Sequence, residues 1–373
     1  MREPPVSDPG DESDEILPGM TVPEGDAPTD QVSLGRRLRQ PRTILSIVVP
    51  LILLVLASQL VLKVKVGDIV SGVSGANKVL LLAAFVVFYL GFPLRGFRWG
   101  LILRGTGMRI GVRDSTEILF LSWLVNCLVP AKLGDVYRAY LLKINSPASL
   151  SRTFGTVFIE RILDLFAIAI LGLAAGFWSF RSGLPNEIQY VAALGVGVVV
   201  VLAVLLLTMR NFGRQVLTRL RLPHRFVELY DRFEEGVFGA VGVRQLPALG
   251  VITVLIWATE GMRLWLVVQA LGFPEANLGI SGAFFVALIG SLLTAVPLSP
   301  AGLGLVEGGM FLILTTAYGI PPTEATTIAL VDRVISVFSI IVLGSIAYVI
   351  SGKRRGAGMR SGAGPVEAPA APA

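Results

Sequence analysis

The chain has one cysteine and one histidine among its 373 residues. A lone Cys127 argues against an internal disulfide framework and against a cysteine-ligated metal centre. A lone His224, set in an Arg-rich stretch, reads as a solvated loop residue and argues against a histidine metal site or a Ser-His catalytic pair. No metal and no cofactor is expected. No Walker A sequence is present, so ATP-driven work by this chain alone is not expected. Charge is also scarce, at 16% of residues, against roughly 25% in soluble domains. The apolar-polar alternation of a membrane β-barrel is missing, because the apolar runs are continuous. A soluble basic surface with interleaved aromatics is missing too, which removes nucleic acid as a partner.

What the chain has is apolar sequence. Hydrophobic residues make up 53% and the mean hydropathy is +0.72. Several uncharged runs approach the ~20 residues that a helix needs to cross a bilayer. The fold class is therefore an all-α polytopic membrane protein. Residues 1–30 hold nine acidic residues and one basic one, leaving 31 basic against 17 acidic in the rest. That basic excess crowds between apolar runs, as cytoplasmic loops do. Residues 1–42 read as a disordered acidic cytoplasmic tail ending in a basic juxtamembrane segment, residues 43–352 as the membrane domain, and 353–373 as a disordered C-terminal tail. Full spans are expected at Thr43–Leu62, Val79–Leu94, Thr156–Trp178, Ile188–Met209, Pro247–Leu271 and Thr326–Ile350. The segment 63–77 reads as a short external loop, and about 225–243 as an amphipathic helix on the membrane surface. Both termini are then cytoplasmic and the location is the cell (inner) membrane.

Two stretches do not read as simple spans. Ile118–Ala131 is apolar for only 14 residues before Lys132, and a full crossing would put the following basic loop outside. From Ala276 to Val306 there are 31 uncharged residues interrupted by PLSPAGLG. Both read as re-entrant helical hairpins, broken at Pro130 and Gly134 in one and at Pro297, Pro300, Gly302 and Gly304 in the other. The two halves also match each other. Gly96-Phe-Arg98, Pro130-Ala-Lys-Leu-Gly134 and Glu160-Arg161 recur as Gly261-Met-Arg263, Pro300-Ala-Gly-Leu-Gly304 and Asp332-Arg333. The interval from Pro to the acid-Arg pair is 30 residues in one half and 32 in the other. Each half reads as three full spans and one hairpin, and an odd number of crossings inverts the second half. The architecture expected is two inverted repeats, with about six full spans and two re-entrant hairpins, or six to eight membrane segments in all, as in many secondary transporters.

Ionisable residues inside a bilayer cost ~2.5–3.5 kcal/mol each on insertion scales, so those in the apolar runs are functional candidates. Arg98, Asn126, Arg138, Arg161, Arg263 and Arg333 are the candidates for binding a phosphate head group, since guanidinium contacts phosphate in bidentate fashion. Asp135, Glu160, Asp164, Glu307 and Asp332 are the candidates for charge balance or proton coupling. The bland alternative is a set of ion pairs that lets each helix carry its own charge. Glu260 and Arg263, three apart, share a face and are positioned to pair. The five tryptophans read as including interface anchors. Gly302-Leu-Gly304-Leu-Val-Glu-Gly308 is not a dinucleotide fingerprint, because it follows a membrane segment and no βαβ unit.

The combined pattern resembles the membrane domain of lysylphosphatidylglycerol synthases, the flippase-like domain family. It runs Asn126, Pro130, Gly134-Asp135, Arg138, then Glu160-Arg161 and Asp164, with Pro300-Ala-Gly-Leu-Gly304, Glu307 and Arg333 in the second half. The resemblance covers about residues 43–352. It implies a multi-pass protein moving a phospholipid or polyprenyl-phosphate lipid between leaflets, with a lipid-modifying enzyme as possible partner. Only about twenty residues follow the last span, so the resemblance is to the flippase part and not to the synthase activity. Two other readings stand beside it: a non-flipping membrane enzyme or accessory subunit of lipid-linked glycan or phospholipid modification, with Asp135 and Glu160 as acid and base, and a small-anion secondary transporter.

Overall fold

The structure, a computed structural model, describes residues 66–129, 132–181, 224–294, 299–356 and 358, with isolated positions between 193 and 219. The expected spans at Thr43–Leu62 and, those isolated positions apart, Ile188–Met209, both terminal tails, and two of the expected backbone breaks, Pro130 and Pro297, lie outside the described residues.

All described secondary structure is helical. Helix α1 (Val66–Ser74) stands where the sequence read as a loop. Helix α2 (Lys78–Gly105) is N-capped by Asn77, whose side chain accepts from the amides of Val79 and Leu80, and it carries Pro93 without ending there. It runs eleven residues past Leu94, the continuation beyond Arg98 that the sequence leaves open, and holds Arg95 and Arg98 in the bundle. Their charges do not end the helix, because carboxylates of other helices meet them. Helices α3 (Val112–Leu128) and α4 (Leu133–Asn145) flank the first break, where Lys132 has φ 51°. Helix α5 (Leu150–Ser179) starts at the Ser149 cap, a turn and a half before the expected Thr156. Helix α6 (His224–Glu234) continues into a π turn, Glu235–Gly239.

The second half repeats that order. Helix α7 (Leu246–Leu271) ends at Gly272 in a left-handed cap. Helices α8 (Ile280–Leu293) and α9 (Leu305–Thr316) flank the second break, where Ala301, Gly302 and Gly304 have φ of 52°, 71° and 87°. Helix α10 (Pro322–Arg333), a π turn at Val334–Phe338 and α11 (Ser339–Ile350) form one continuous rod. Among the described residues, three helices are long and apolar enough to cross a membrane: α2, α7 and the α10–α11 rod. Helix α5 is of similar length but carries charge in its first half.

Packing follows the repeat. The long helices α2 and α7 lie along each other at the centre. Helix α3 packs on α2 as α8 does on α7, and α4 bridges α3 to α5 as α9 bridges α8 to α10. The halves also cross over: α8 packs on α5, and α3 packs on α11. Phe88, Phe92, Leu264, Val267, Phe285 and Val286 are among the apolar side chains buried in the main core cluster. The polar residues of α2 and α7 are thereby brought face to face.

Candidate functional site

A cavity of about 330 Å3 opens among α2, α3, α5, α7, α8, α10 and both breaks. Each break delivers charge to it by the same construction. In the first, Asn126 near the end of α3 accepts the Gly134 amide at 2.8 Å, and its Nδ2 donates to Asp135 at 3.4 Å. This ties α3 to the start of α4. A methyl group on Gly134 would run into the Ser122 carbonyl and the Asn126 side chain, so the junction requires glycine. Asp135, in the first turn of α4, takes Nε and Nη2 of Arg161 at 2.9 and 2.7 Å. In the second break, Glu307 occupies the same place in the first turn of α9. Its Oε2 accepts the Gly304 amide at 2.6 Å and its Oε1 takes Arg333 Nε at 2.8 Å. Each arginine stands 26 residues after its acid. Arg333 also donates to the Ala301 carbonyl at 2.5 Å, using the oxygen that the left-handed turn releases.

Deeper pairs join the long helices. Arg98 makes two contacts with Asp164, at 2.6 and 3.0 Å, and also donates to Glu160 and Thr253. Arg138 donates to Glu160 at 2.5 Å and lies over the Trp99 ring at 4.6 Å. Arg263 makes two contacts with Asp332, at 2.8 and 3.1 Å, and a short one with Glu260. Arg95 donates to the other Glu260 oxygen at 2.6 Å and stands over the Trp123 ring at 4.8 Å. Trp257 Nε1 donates to Asp164 at 3.1 Å. With so many partners these charges satisfy one another, as buried ions must to be tolerated.

The candidate binding residues thus divide. Asn126, Arg161, Arg263 and Arg333 line the cavity, as do Asp135, Asp164 and Asp332. Arg98 and Arg138 are completely buried and, with Glu160 and Glu307, stand behind the wall. Of the expected break residues, Gly302 lines the cavity, whereas Gly134, Pro300 and Gly304 shape the turns. Three wall residues, Arg95, Trp123 and Trp257, were not candidates from sequence, and Lys132, in the charged cluster beside Pro130 and Gly134, has no role assigned there. Arg95 reads there as one of five cytoplasmic arginines, and the tryptophans as interface anchors. Trp99 is fully buried as well, while Trp178 is 65% exposed, as an anchor would be. The signal for Arg95 was its position three residues before Arg98, on the same helical face.

The model of the lysylphosphatidylglycerol synthase transmembrane region matches residues 43–344, which takes in the whole cavity. The chain belongs to this family. A UPF0104 membrane protein of Methanocaldococcus jannaschii is 38% identical over 228 residues, covering 61% of this chain and 93% of that one. A second UPF0104 membrane protein, of Methanothermobacter thermautotrophicus, is 26% identical over 300 residues, covering 74% and 87%. The glycosyltransferase AglD of Haloferax volcanii is 29% identical over 343 residues, or 82% of this chain. The chain spans about half, 54%, of AglD's own length. As a member of this family, with three described helices long and apolar enough to cross a membrane, the protein is a membrane protein.

Proposed function

We propose that this member of the lysylphosphatidylglycerol synthase transmembrane family moves a phospholipid or another lipid phosphate between leaflets. The observation that carries the reading is the cavity itself: a charge-lined space enclosed by apolar helices from both halves. A head group would cross through it while the acyl or prenyl chains stay in the bilayer. Arg161 and Arg333 hold the two break acids, and each would release its acid to take a phosphate oxygen. Asn126 and Arg263 complete the wall that faces the head group. Asp135, Glu160, Asp164, Glu307 and Asp332 balance the arginine charge, and the acids freed by the cargo would carry a coupling proton. Arg98 and Arg138 act from behind by holding Glu160 and Asp164 in place.

The matching order of helices and the crossed packing of the halves support an inverted repeat with two re-entrant hairpins. Alternating access would then come from one half rocking on the other. The location in this reading is the inner membrane, with both termini cytoplasmic.

The similarity to a glycosyltransferase favours a lipid-linked sugar as cargo, with a lipid-modifying enzyme as partner. It equally favours a second reading, in which the chain is an accessory subunit of such an enzyme and moves nothing. Proteoliposomes separate the two. Head-group-labelled phosphatidylglycerol, its aminoacylated form and a polyprenyl phosphate are followed across the bilayer. Movement of one lipid, reduced by about tenfold or more (1.4 kcal/mol) in Arg161→Ala and Arg333→Ala, is the expected outcome. Folded protein that moves none of them sinks the transport reading.

A further inference from the structure

The cavity carries one more positive charge than its own carboxylates neutralise, and the excess sits on one residue. Six arginines and six carboxylates answer one another, each arginine with a carboxylate at 2.5–2.8 Å and each carboxylate with an arginine. That set is neutral. Lys132 lines the same cavity and has no carboxylate at ion-pair distance among the described residues. Its backbone is left-handed, φ 51°, a conformation that is strained for a residue with a Cβ. Gly302, at the same place in the Pro-Ala-Gly-Leu-Gly motif of the second half, also has a positive φ, 71°. A lysine kept where glycine would relieve strain signals a use for its side chain.

We propose that Lys132 forms a site on the cavity wall for a single negative charge. The ligand class is a phosphodiester monoanion, a lipid phosphate esterified on both sides, in preference to a phosphomonoester dianion. A monoanion brings the buried set to neutrality. A dianion leaves one charge uncompensated in a low-dielectric cavity, which is unfavourable. The inference rests on the lipid-phosphate reading above and names the charge class of the head group. Glycerophospholipids and glycosyl phosphopolyprenols share that chemistry.

Equilibrium binding tests it apart from transport. The purified full chain in detergent is titrated with phosphatidylglycerol, a glycosyl phosphopolyprenol, phosphatidic acid, polyprenyl phosphate and dimethyl phosphate. Quenching of Trp123 and Trp257 reports occupancy. One or both lipid diesters should bind about tenfold or more tighter than the monoesters, and which of them does so names the source. Lys132→Gln should lose about tenfold for the diester, and Lys132→Arg should keep most of it. Asp135→Asn, which raises the net charge by one, should shift preference toward the monoesters. Tighter monoester binding by the wild type overturns the proposal. So does unchanged affinity in a monodisperse Lys132→Gln, or dimethyl phosphate binding as well as the lipids. If Lys132→Gln does not fold, the Asp135→Asn shift decides, and its absence is equally fatal. Selective binding without movement in vesicles removes the transport reading and leaves the site. Transport indifferent to Lys132→Gln does the reverse.

Discussion

Glu160 has the most at stake of any single side chain in the network. It is 2% exposed and accepts from Arg98 and from Arg138. Arg138 has no other carboxylate at ion-pair distance among the described residues. Glu160→Gln therefore strands a buried cation, and thermal unfolding in detergent should show a loss of about 3–5 kcal/mol. Arg152→Ala, which breaks a pair whose side chains are 35% and 50% exposed, should stay within about 1 kcal/mol. Gly134→Ala is a test of position, not charge. The new methyl must displace Ser122 or Asn126, so Asp135 moves away from Arg161. Loss of lipid movement should exceed the loss of stability, as compared in proteoliposomes and by unfolding of the same preparation. Arg98, Arg161, Arg263 and Arg333 were recognisable in the sequence, because charge in an apolar run is conspicuous. Arg95 was not, because it stands beside other arginines and passes for part of a loop.

The described helices include long rods and shorter pairs that flank a backbone break, and the crossed contacts between them are where movement would be felt. Helix α11 lies so close to α3 that a Cβ on Gly344 would be 3.0 Å from the Cβ of Leu124. Paired cysteines at 124 and 344, in a Cys127→Ser background, are near the spacing a disulfide needs. Oxidation should stop lipid movement while leaving lipid binding intact, and reductant should restore movement; transport that persists when the bridge is formed rules out rocking at this contact. The helix bodies themselves were legible, since apolar length and Pro/Gly breaks are local signals. Their ends were less so. Helix α2 outran its apolar stretch because its arginines found carboxylates on α5 and α7. The segment at Val66–Ser74 is helical where short length and weak charge suggested a loop; it packs on α10, a contact that local sequence does not reveal.

At the scale of the molecule, the charges lie where salt cannot screen them. Most of the paired side chains at the cavity are under 10% exposed. Raising salt from about 0.05 to 0.5 M shortens the Debye length from over 10 Å to a few ångströms, yet the apparent Tm in detergent should barely change. A steep fall would show that water and ions reach the network. What the sequence determined by itself is the membrane setting, the helical class, the family resemblance and the two matching motifs, because each depends on composition or on spacing along the chain. Only the tertiary structure decided which charge meets which. Arg95 pairs with a carboxylate 165 residues away and Arg263 with one 69 away. Such partners are chosen by how whole helices pack and by the need to neutralise every buried charge, and neither constraint is written in any local stretch of residues.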